Sequence, residues 1–485
     1  MATATAFRRL VRDHMRPMPV IVPPETGCAE AVRRMTEAAA DCVVVVGPAR
    51  SILGIVTERD VTRRIAFRRD PASPVTEVMT APVRTVAAGD FLYHAIAFMR
   101  RAGLRHMPVV SDDGRVVGML ALHEALGAAA ETLVGLIMRL THEETVEGLG
   151  EVKAAQVEVA EALFADGVPA TEIQALLGDI NLDIYRRVLR LHLAAMLEAG
   201  WGEPPVVFAA IVMGSAGRRE SFLFPDQDNG FLLADYPDSD HDRIDAFFIE
   251  LAERMTHTLD AVGFPLCRGN VMATNPLWRK SLTQWLGQLD VWLRRRSVVT
   301  VRLSDIFFDF RPAFGDAALA HTLREYVTLA LAKAPAYIRD MHELQSDHRV
   351  ALGLFGRLLT KRDAESGEER LNLKYNGTLP LVEAVRLYAL KAGVPATGTM
   401  ARIDALCAKG VLGDDDRDYL SGAFRLVTDL LLRQQIRDFH GGRPVGNWVP
   451  LAALTQRERD SLVDCFRAVT AFHDRLRHEI TGTLF

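Results

Sequence analysis

The residues best suited to chemistry lie between Val206 and Asp235. Asp226-Gln227-Asp228 sets two carboxylates two positions apart, and in an extended segment side chains alternate, so both would point to one face. Carboxylates that close repel unless a cation sits between them. Mg²⁺ suits such a pair, because it takes one or two carboxylates and completes its shell with water and phosphate oxygens. Eleven residues upstream stands Gly214-Ser215. Glycine has no Cβ to hold a ligand away, so a Gly-Ser turn lets backbone amides and a hydroxyl approach phosphate closely. Arg218 and Arg219 can add charge-assisted hydrogen bonds. Either half alone means little; the two in this order point to metal-assisted chemistry on a phosphate.

Strands are needed to position these groups. Val206 to Met213 is an apolar run too short for a typical helix and far too short to cross a membrane, which predicts a buried strand. Phe231 to Leu233 predicts the next one. Asp242 to Val262 has helical periodicity, with Phe247, Phe248, Leu251, Met255 and Leu259 on one face. Val299 to Phe310 alternates as a third strand would, placing Asp305, Phe307 and Asp309 together.

The combination Gly214-Ser215, Gly217-Arg218 and Asp226-Gln227-Asp228-Asn229 resembles the nucleotidyltransferase superfamily, and within it the bacterial proteins related to the catalytic part of protein-PII uridylyltransferase. The resemblance implies a small mixed-sheet, polymerase-beta-like domain that moves a nucleoside monophosphate from an NTP donor to a protein or small-molecule acceptor, with Mg²⁺ or Mn²⁺ as cofactor. Asp226, Asp228 and Asp309 would be the catalytic and metal-binding carboxylates, gathered around two ions. Asp309 is chosen through its match to an Asp-Phe-Arg segment, with Asp305 as second candidate. Gly214, Ser215, Arg218, Arg219 and Lys374 would bind the nucleotide. Arg268 and Arg279 are further candidate phosphate contacts, and Trp278 is read either as a base-stacking ring or as core.

The N-terminal region matches itself at a constant offset of 64 residues, Met15 falling on Met79, Met35 on Met99 and Gly54 on Gly118. Such units pack together because one cannot cover its own apolar face. With Gly54-Ile55-Val56-Thr57-Glu58-Arg59-Asp60 as its clearest signature, the pattern resembles a tandem pair of CBS domains. That implies a regulatory adenosine-type ligand (AMP or ATP) held by Thr57 and Asp60, and a homodimer formed through the pair. The second repeat has Ala121 and Glu124 at the equivalent positions, so at most one good site is expected. Thr57 and Asp60 equally fit a plain helix cap.

The expected architecture is α/β multidomain: a CBS pair over 1–128 (repeats about 8–70 and 72–128), a helical connector over 129–200, the nucleotidyltransferase domain over 201–320 and an all-α substrate-binding domain over 321–485. Arg386 and Arg402 lie in that last part, and are read either as ligand contacts or as partners of local carboxylates. With 57 basic against 62 acidic residues and a net charge of −5, nothing indicates nucleic acid as an obligate partner. Five scattered cysteines without a Cys-x-x-Cys pair give no zinc site and no disulfide framework. The N-terminal stretch lacks the apolar core of a signal peptide, so a cytoplasmic protein without a membrane span is expected. The alternative is a nucleotide-sensing signalling protein whose transferase domain is silent.

Overall fold

The computed structural model describes residues 10–17, 20–48, 51–65, 69–111, 113–128, 145–165, 167–345, 348–364 and 366–481. The chain divides into two compact units, residues 1–143 with 165–168, and residues 144–164 with 169–485. Residues 129–144 of the expected connector lie outside the described residues.

In the first unit, β1 (Ile21–Val22), α1 (Cys28–Glu37), β2 (Cys42–Val46) and β3 (Ile52–Thr57) make one repeat; β4 (Val86–Ala87), α2 (Leu92–Arg101), β5 (His106–Val110), β6 (Val116–Ala121) and α3 (Leu122–Ala128) make the other. Both sheets pair their first two strands parallel and the next two antiparallel, with Val45 opposite Gly54 and Val109 opposite Gly118. Helix α1 forms because its residues divide by face: Cys28, Ala31 and Met35 are buried, while Arg33 and Arg34 pair with Glu30 on the outside. The repeats exchange their opening segments. A Cβ on Gly54 would lie 2.2 Å from Met79 Sδ, and one on Gly118 only 2.5 Å from Met15 Sδ. Ile55 bridges to Thr80, and Met119 to Arg16. Only glycine lets a methionine of the other repeat come so near.

The second unit is built on a four-stranded mixed sheet in the order β10-β7-β8-β9: β7 (Phe208–Val212), β8 (Asn229–Leu233), β9 (Arg279–Ser281) and β10 (Arg311–Gly315). Strands β7 and β8 are antiparallel, with Val212 opposite Asn229, and every residue of both is buried, hence the apolar run of β7 and the Phe231 to Leu233 run of β8. Helices α4 (Val146–Ala165) and α5 (Ala170–Glu198) belong to this unit, and α5 packs on the α7 helix (His241–Val262) and on β10. They are thus part of the domain's own packing. Between β7 and β8 lies the short α6 (Gly214–Arg218); α8 (Leu282–Arg295) follows β9, capped by Ser281, whose side chain accepts from the Gln284 amide.

The expected strand over Val299 to Phe310 is not formed. Residues Val298–Phe307 are a helix, α9, started by Ser297, whose hydroxyl accepts from the Thr300 amide. This cap and the tertiary packing of Val301 and Phe307 override the strand preference of the valines. The strand comes later, as β10.

Beyond it are α10 (Ala317–Ala332), α11 (Pro335–Gln345), α12 (Leu379–Lys391), α13 (Thr399–Ala408), α14 (Asp414–His440) and α15 (Gln456–Thr481). This C-terminal part is mostly helical rather than all-α. It carries a small antiparallel sheet of β11 (Lys361–Arg362), β12 (Glu369–Asn372) and β13 (Trp448–Pro450). Its core and that of the mixed sheet are one continuous cluster, running from Ala209 and Ile211 through Trp278, Trp285 and Phe307 to Val385 and Phe466.

Candidate active site

Residues 225–228 run into β8 without regular structure. The Asp228 carbonyl accepts from the Met213 amide, and the Gln227 amide donates to the Pro265 carbonyl. Gln227 is buried and its side-chain amide donates to the Thr256 and Phe264 carbonyls, while Asp226 is exposed and Asp228 partly buried. The inward glutamine turns both aspartates the other way. Asp228 sits against the β7–α6 turn: Gly214 has φ +58°, and a Cβ there would lie 2.9 Å from Asp228 Oδ2.

Burial, with the neighbouring charge of Asp226, pushes Asp228 up to about 6, against opposing contributions from the Cys267 thiol and the charges of Lys374 and Arg218. Two carboxylates, one of them resisting ionisation chiefly because it is buried, form a site short of positive charge. Lys374 is exposed and follows β12. The structure thus gathers Gly214, Asp226, Asp228 and Lys374, with Ser215 in the same turn. The pair fits a divalent cation that draws its remaining ligands from water and phosphate.

Asp309 is not part of this group. Its side chain is wholly buried, and it accepts from Arg218 Nη1 at 2.7 Å, Arg386 Nη1 at 2.8 Å and Arg402 Nη2 at 2.6 Å. Three guanidiniums neutralise it and fill most of its acceptor sites, and they hold it far below the usual carboxylate range despite its burial. Asp305 is no substitute, since Arg386 and Gln345 both donate to it. Among the described residues, no three His, Cys, Asp or Glu side chains are grouped to hold an ion. The expected three-carboxylate, two-ion arrangement is therefore corrected to a pair.

Arg218, Arg219 and Arg279 are engaged elsewhere, while Arg268 is exposed. Arg218 bonds Glu220 at 2.7 Å as well as Asp309, and Arg219, in a left-handed conformation, pairs with Asp179 on α5 at 2.5 Å. Arg279 is held by Asp245 and the Ala273 carbonyl. Trp278 is core, packed on Trp285 and Trp292 with its indole N–H on the Asn270 carbonyl. Arg386 and Arg402 are both fully buried in the Asp309 cluster. Sequence reasoning missed two residues near the pair. One is Cys267, which touches Asp228. The other is Lys153 of α4, buried among the Gln156, Asn181 and Leu223 oxygens beneath the loop that leads to Asp226, and pushed down to about 7 by that burial.

In the first unit, Thr57 and Asp60 are engaged with each other. The Thr57 hydroxyl donates to Asp60 Oδ2 at 2.7 Å, and Asp60 also accepts from the Thr57 amide. This is a capping arrangement. At the equivalent place in the second repeat, Arg16 closes on Glu124, with Nη2 2.7 Å from Oε1.

A mixed sheet with a glycine turn facing an Asp-x-Asp pair, joined to a helical domain and preceded by two β-α-β-β repeats, defines a multidomain protein of the nucleotidyltransferase-like class. Comparison with known families agrees. Residues 154–298 match the family described as "Putative nucleotidyltransferase DUF294", residues 335–480 the "Putative nucleotidyltransferase substrate binding domain", and residues 11–67 and 75–131 the CBS domain. The chain belongs to this family of CBS-linked, nucleotidyltransferase-like proteins.

An uncharacterized 17.7 kDa protein of Acidianus ambivalens is 32% identical over 104 residues, 21% of this chain and 63% of that protein. Inosine-5'-monophosphate dehydrogenase of Aquifex aeolicus is 31% identical over 107 residues, 22% of this chain and 21% of that one. The chain spans less than two thirds of the length of the curated relatives it matches. Among solved structures, a CBS domain protein from Pyrobaculum aerophilum complexed with AMP is 23% identical, covering 27% of this chain and 98% of its own, with a TM-score of 0.24. A CBS domain protein of unknown function from Thermoplasma acidophilum is 27% identical, covering 27% and 75%, with a TM-score of 0.25. Among the described residues, no helix is long and apolar enough to cross a membrane.

Proposed function

We propose that the second unit is a divalent-cation-dependent nucleotidyltransferase moving a nucleoside monophosphate from an NTP to a hydroxyl acceptor. Uridylyl transfer to a protein is the version implied by the resemblance to protein-PII uridylyltransferase. The observation that carries the proposal is the seating of Asp228 against the Gly214 turn, with Asp226 beside it. When bound, Mg²⁺ would neutralise this pair and polarise the phosphate undergoing attack. Ser215 and the turn amides would hold phosphate oxygens, and Lys374 would offset charge on the triphosphate tail. In the reaction an acceptor oxygen bonds to the α-phosphorus, the bond to the β-phosphate breaks, pyrophosphate leaves, and the acceptor proton passes to a carboxylate of the pair. Thr57 and Asp60 would exchange their mutual hydrogen bonds for an adenine nucleotide, and the CBS pair would mediate a homodimer.

The arginine-locked Asp309 favours a second reading, in which the domain binds NTP without turning it over. One experiment separates the two. Pyrophosphate release is measured on the full chain with Mg²⁺ or Mn²⁺ and each of ATP, UTP, CTP and GTP, in the wild type and in Asp226→Asn and Asp228→Asn. Transfer predicts release that either variant abolishes. Binding alone predicts a nucleotide-induced rise in melting temperature without release. AMP and ATP added with Thr57→Ala as control test the regulatory ligand.

A further inference from the structure

The link between α12 and α13, residues 392–398, comes against the turn that carries Gly214 and Ser215. Thr397 donates its hydroxyl to the Gly217 carbonyl at 3.0 Å. Gly398 lies so near that a Cβ on it would stand 3.2 Å from the Arg218 carbonyl oxygen. Thr399, the buried first residue of α13, donates both its amide and its hydroxyl to the Glu220 carboxylate, which Arg218 also holds. The link is itself anchored, because Arg402 donates to the Ala396 carbonyl at 2.8 Å while it holds Asp309. Two further bonds complete the fastening of the turn: Arg311 of β10 donates to the Ala216 carbonyl, and the Glu220 amide to the Ser215 carbonyl, each at 2.9 Å. Every carbonyl from Ser215 to Gly217 thus has a donor. A Cβ on Gly217 would lie 1.6 Å from the Asp309 carbonyl oxygen, so the turn is seated directly on the chain leading into β10.

We propose that Thr397 is a positioning residue for the donor nucleotide: its hydroxyl fixes Gly217, and through it the placement of Gly214 and Ser215 beside Asp228. Glu220 assists from Thr399. The inference rests on the reading of this turn as the seat of the donor's triphosphate. A threonine suits the task, because its β-branched side chain has few χ1 rotamers and the hydroxyl loses little freedom when it is aimed. The helical part then serves the donor side of the reaction as well as the acceptor side.

The test is calorimetric titration of the full chain with Mg²⁺ and inorganic triphosphate, the tail common to all four NTPs with base and sugar left out. Thr397→Val removes the hydroxyl at nearly constant volume and is expected to weaken binding about fivefold to tenfold, as loss of one hydrogen bond would. Thr397→Ser keeps the hydroxyl and should bind as the wild type does. Thr470→Val deletes a hydroxyl-to-carbonyl bond elsewhere in the helical part, from Thr470 to Phe466, and should leave the affinity unchanged. Asp228→Asn, which marks the site, should abolish binding. Should Thr397→Val fail to fold, Glu220→Gln, which turns one of the oxygens facing Arg218 and Thr399 into a donor, replaces it with the same expected loss. Absence of binding by the wild type, or binding indifferent to Asp228→Asn, overturns this inference together with the reading of the turn. Binding lost in Asp228→Asn but undiminished in Thr397→Val overturns the inference alone. So does Thr397→Ser binding as weakly as Thr397→Val, or Thr470→Val weakening it equally.

Discussion

Asp309→Asn separates a structural role for this carboxylate from a catalytic one. The substitution keeps the volume, removes the charge and turns one acceptor oxygen into a donor facing donors. Arg218 would retain Glu220 and Arg386 would retain Asp305, but Arg402 has no other carboxylate partner among the described residues. One buried guanidinium is therefore stranded, and breaking such a pair costs about 3–5 kcal/mol, a large share of the ~5–15 kcal/mol that holds a typical domain. With a urea m-value of about 3 kcal/mol per molar, the unfolding midpoint would fall by roughly 1 M. Trp278, Trp285 and Trp292 share one core with Phe308, Phe310 and Val385, so intrinsic fluorescence reads this transition directly. Because Asp309 is held below its ordinary range, its contribution is fully present above the unfolded carboxylate value of about 4 and is lost only as pH falls through the depressed folded value. The penalty of the substitution should accordingly be constant from pH 5 to 8. Adding Arg402→Met should recover part of the loss, as a double-mutant cycle would register. An Asp309→Asn protein within about 1 kcal/mol of wild type but devoid of pyrophosphate release would refute this account and return Asp309 to the chemistry.

Gly214→Ala forces a residue with a Cβ into a left-handed conformation, costing roughly 1–2 kcal/mol, and pushes on Asp228 Oδ2 at 2.9 Å. Melting should register the strain, and NTP-induced stabilisation should disappear. Asp228, raised to about 6, is an acid whose ionisation the folded state resists. Stability should thus fall as pH rises from about 4, the unfolded value, towards 6. Mn²⁺-induced stabilisation should grow over the upper part of that range, and Asp228→Asn should flatten both trends in thermal scans. Gly54→Ala should lower the melting temperature of the first unit, and Met79→Ala should restore much of the loss, since Met79 Sδ occupies the place the new Cβ needs. Persistence of the defect in the double variant would rule out that contact as its cause.

Much of the framework was legible because its cause is local. The offset of the N-terminal repeats returns in the structure as matching helices, matching strand registers and matching irregularities beside Val45 and Val109. The helix from Asp242 to Val262 follows its apolar periodicity, whereas the one over Leu379–Lys391 is buried on every side. What failed was set at a distance. Asp309 meets Arg218, Arg386 and Arg402 across 91, 77 and 93 residues, and no spacing rule reveals such a cluster. Arg219 is an acid's partner because α5 happens to present Asp179 beside it. The helix over Val298–Phe307 did carry a local sign, the hydroxyl of Ser297 ahead of it. Alternating Asp and Phe residues outweighed that sign in the reading. In Asp226-Gln227-Asp228 the spacing of two shows because Gln227, between the aspartates, is drawn inward by backbone carbonyls.

The crossed methionines of the N-terminal pair make it a clasp. Met15 fastens on the later half and Met79 on the earlier one, so neither half can be lifted away without uncovering a bare glycine face on the other. Pulling, proteolysis or evolution would then act on the two halves as one object, even though each carries its own sheet and its own apolar centre.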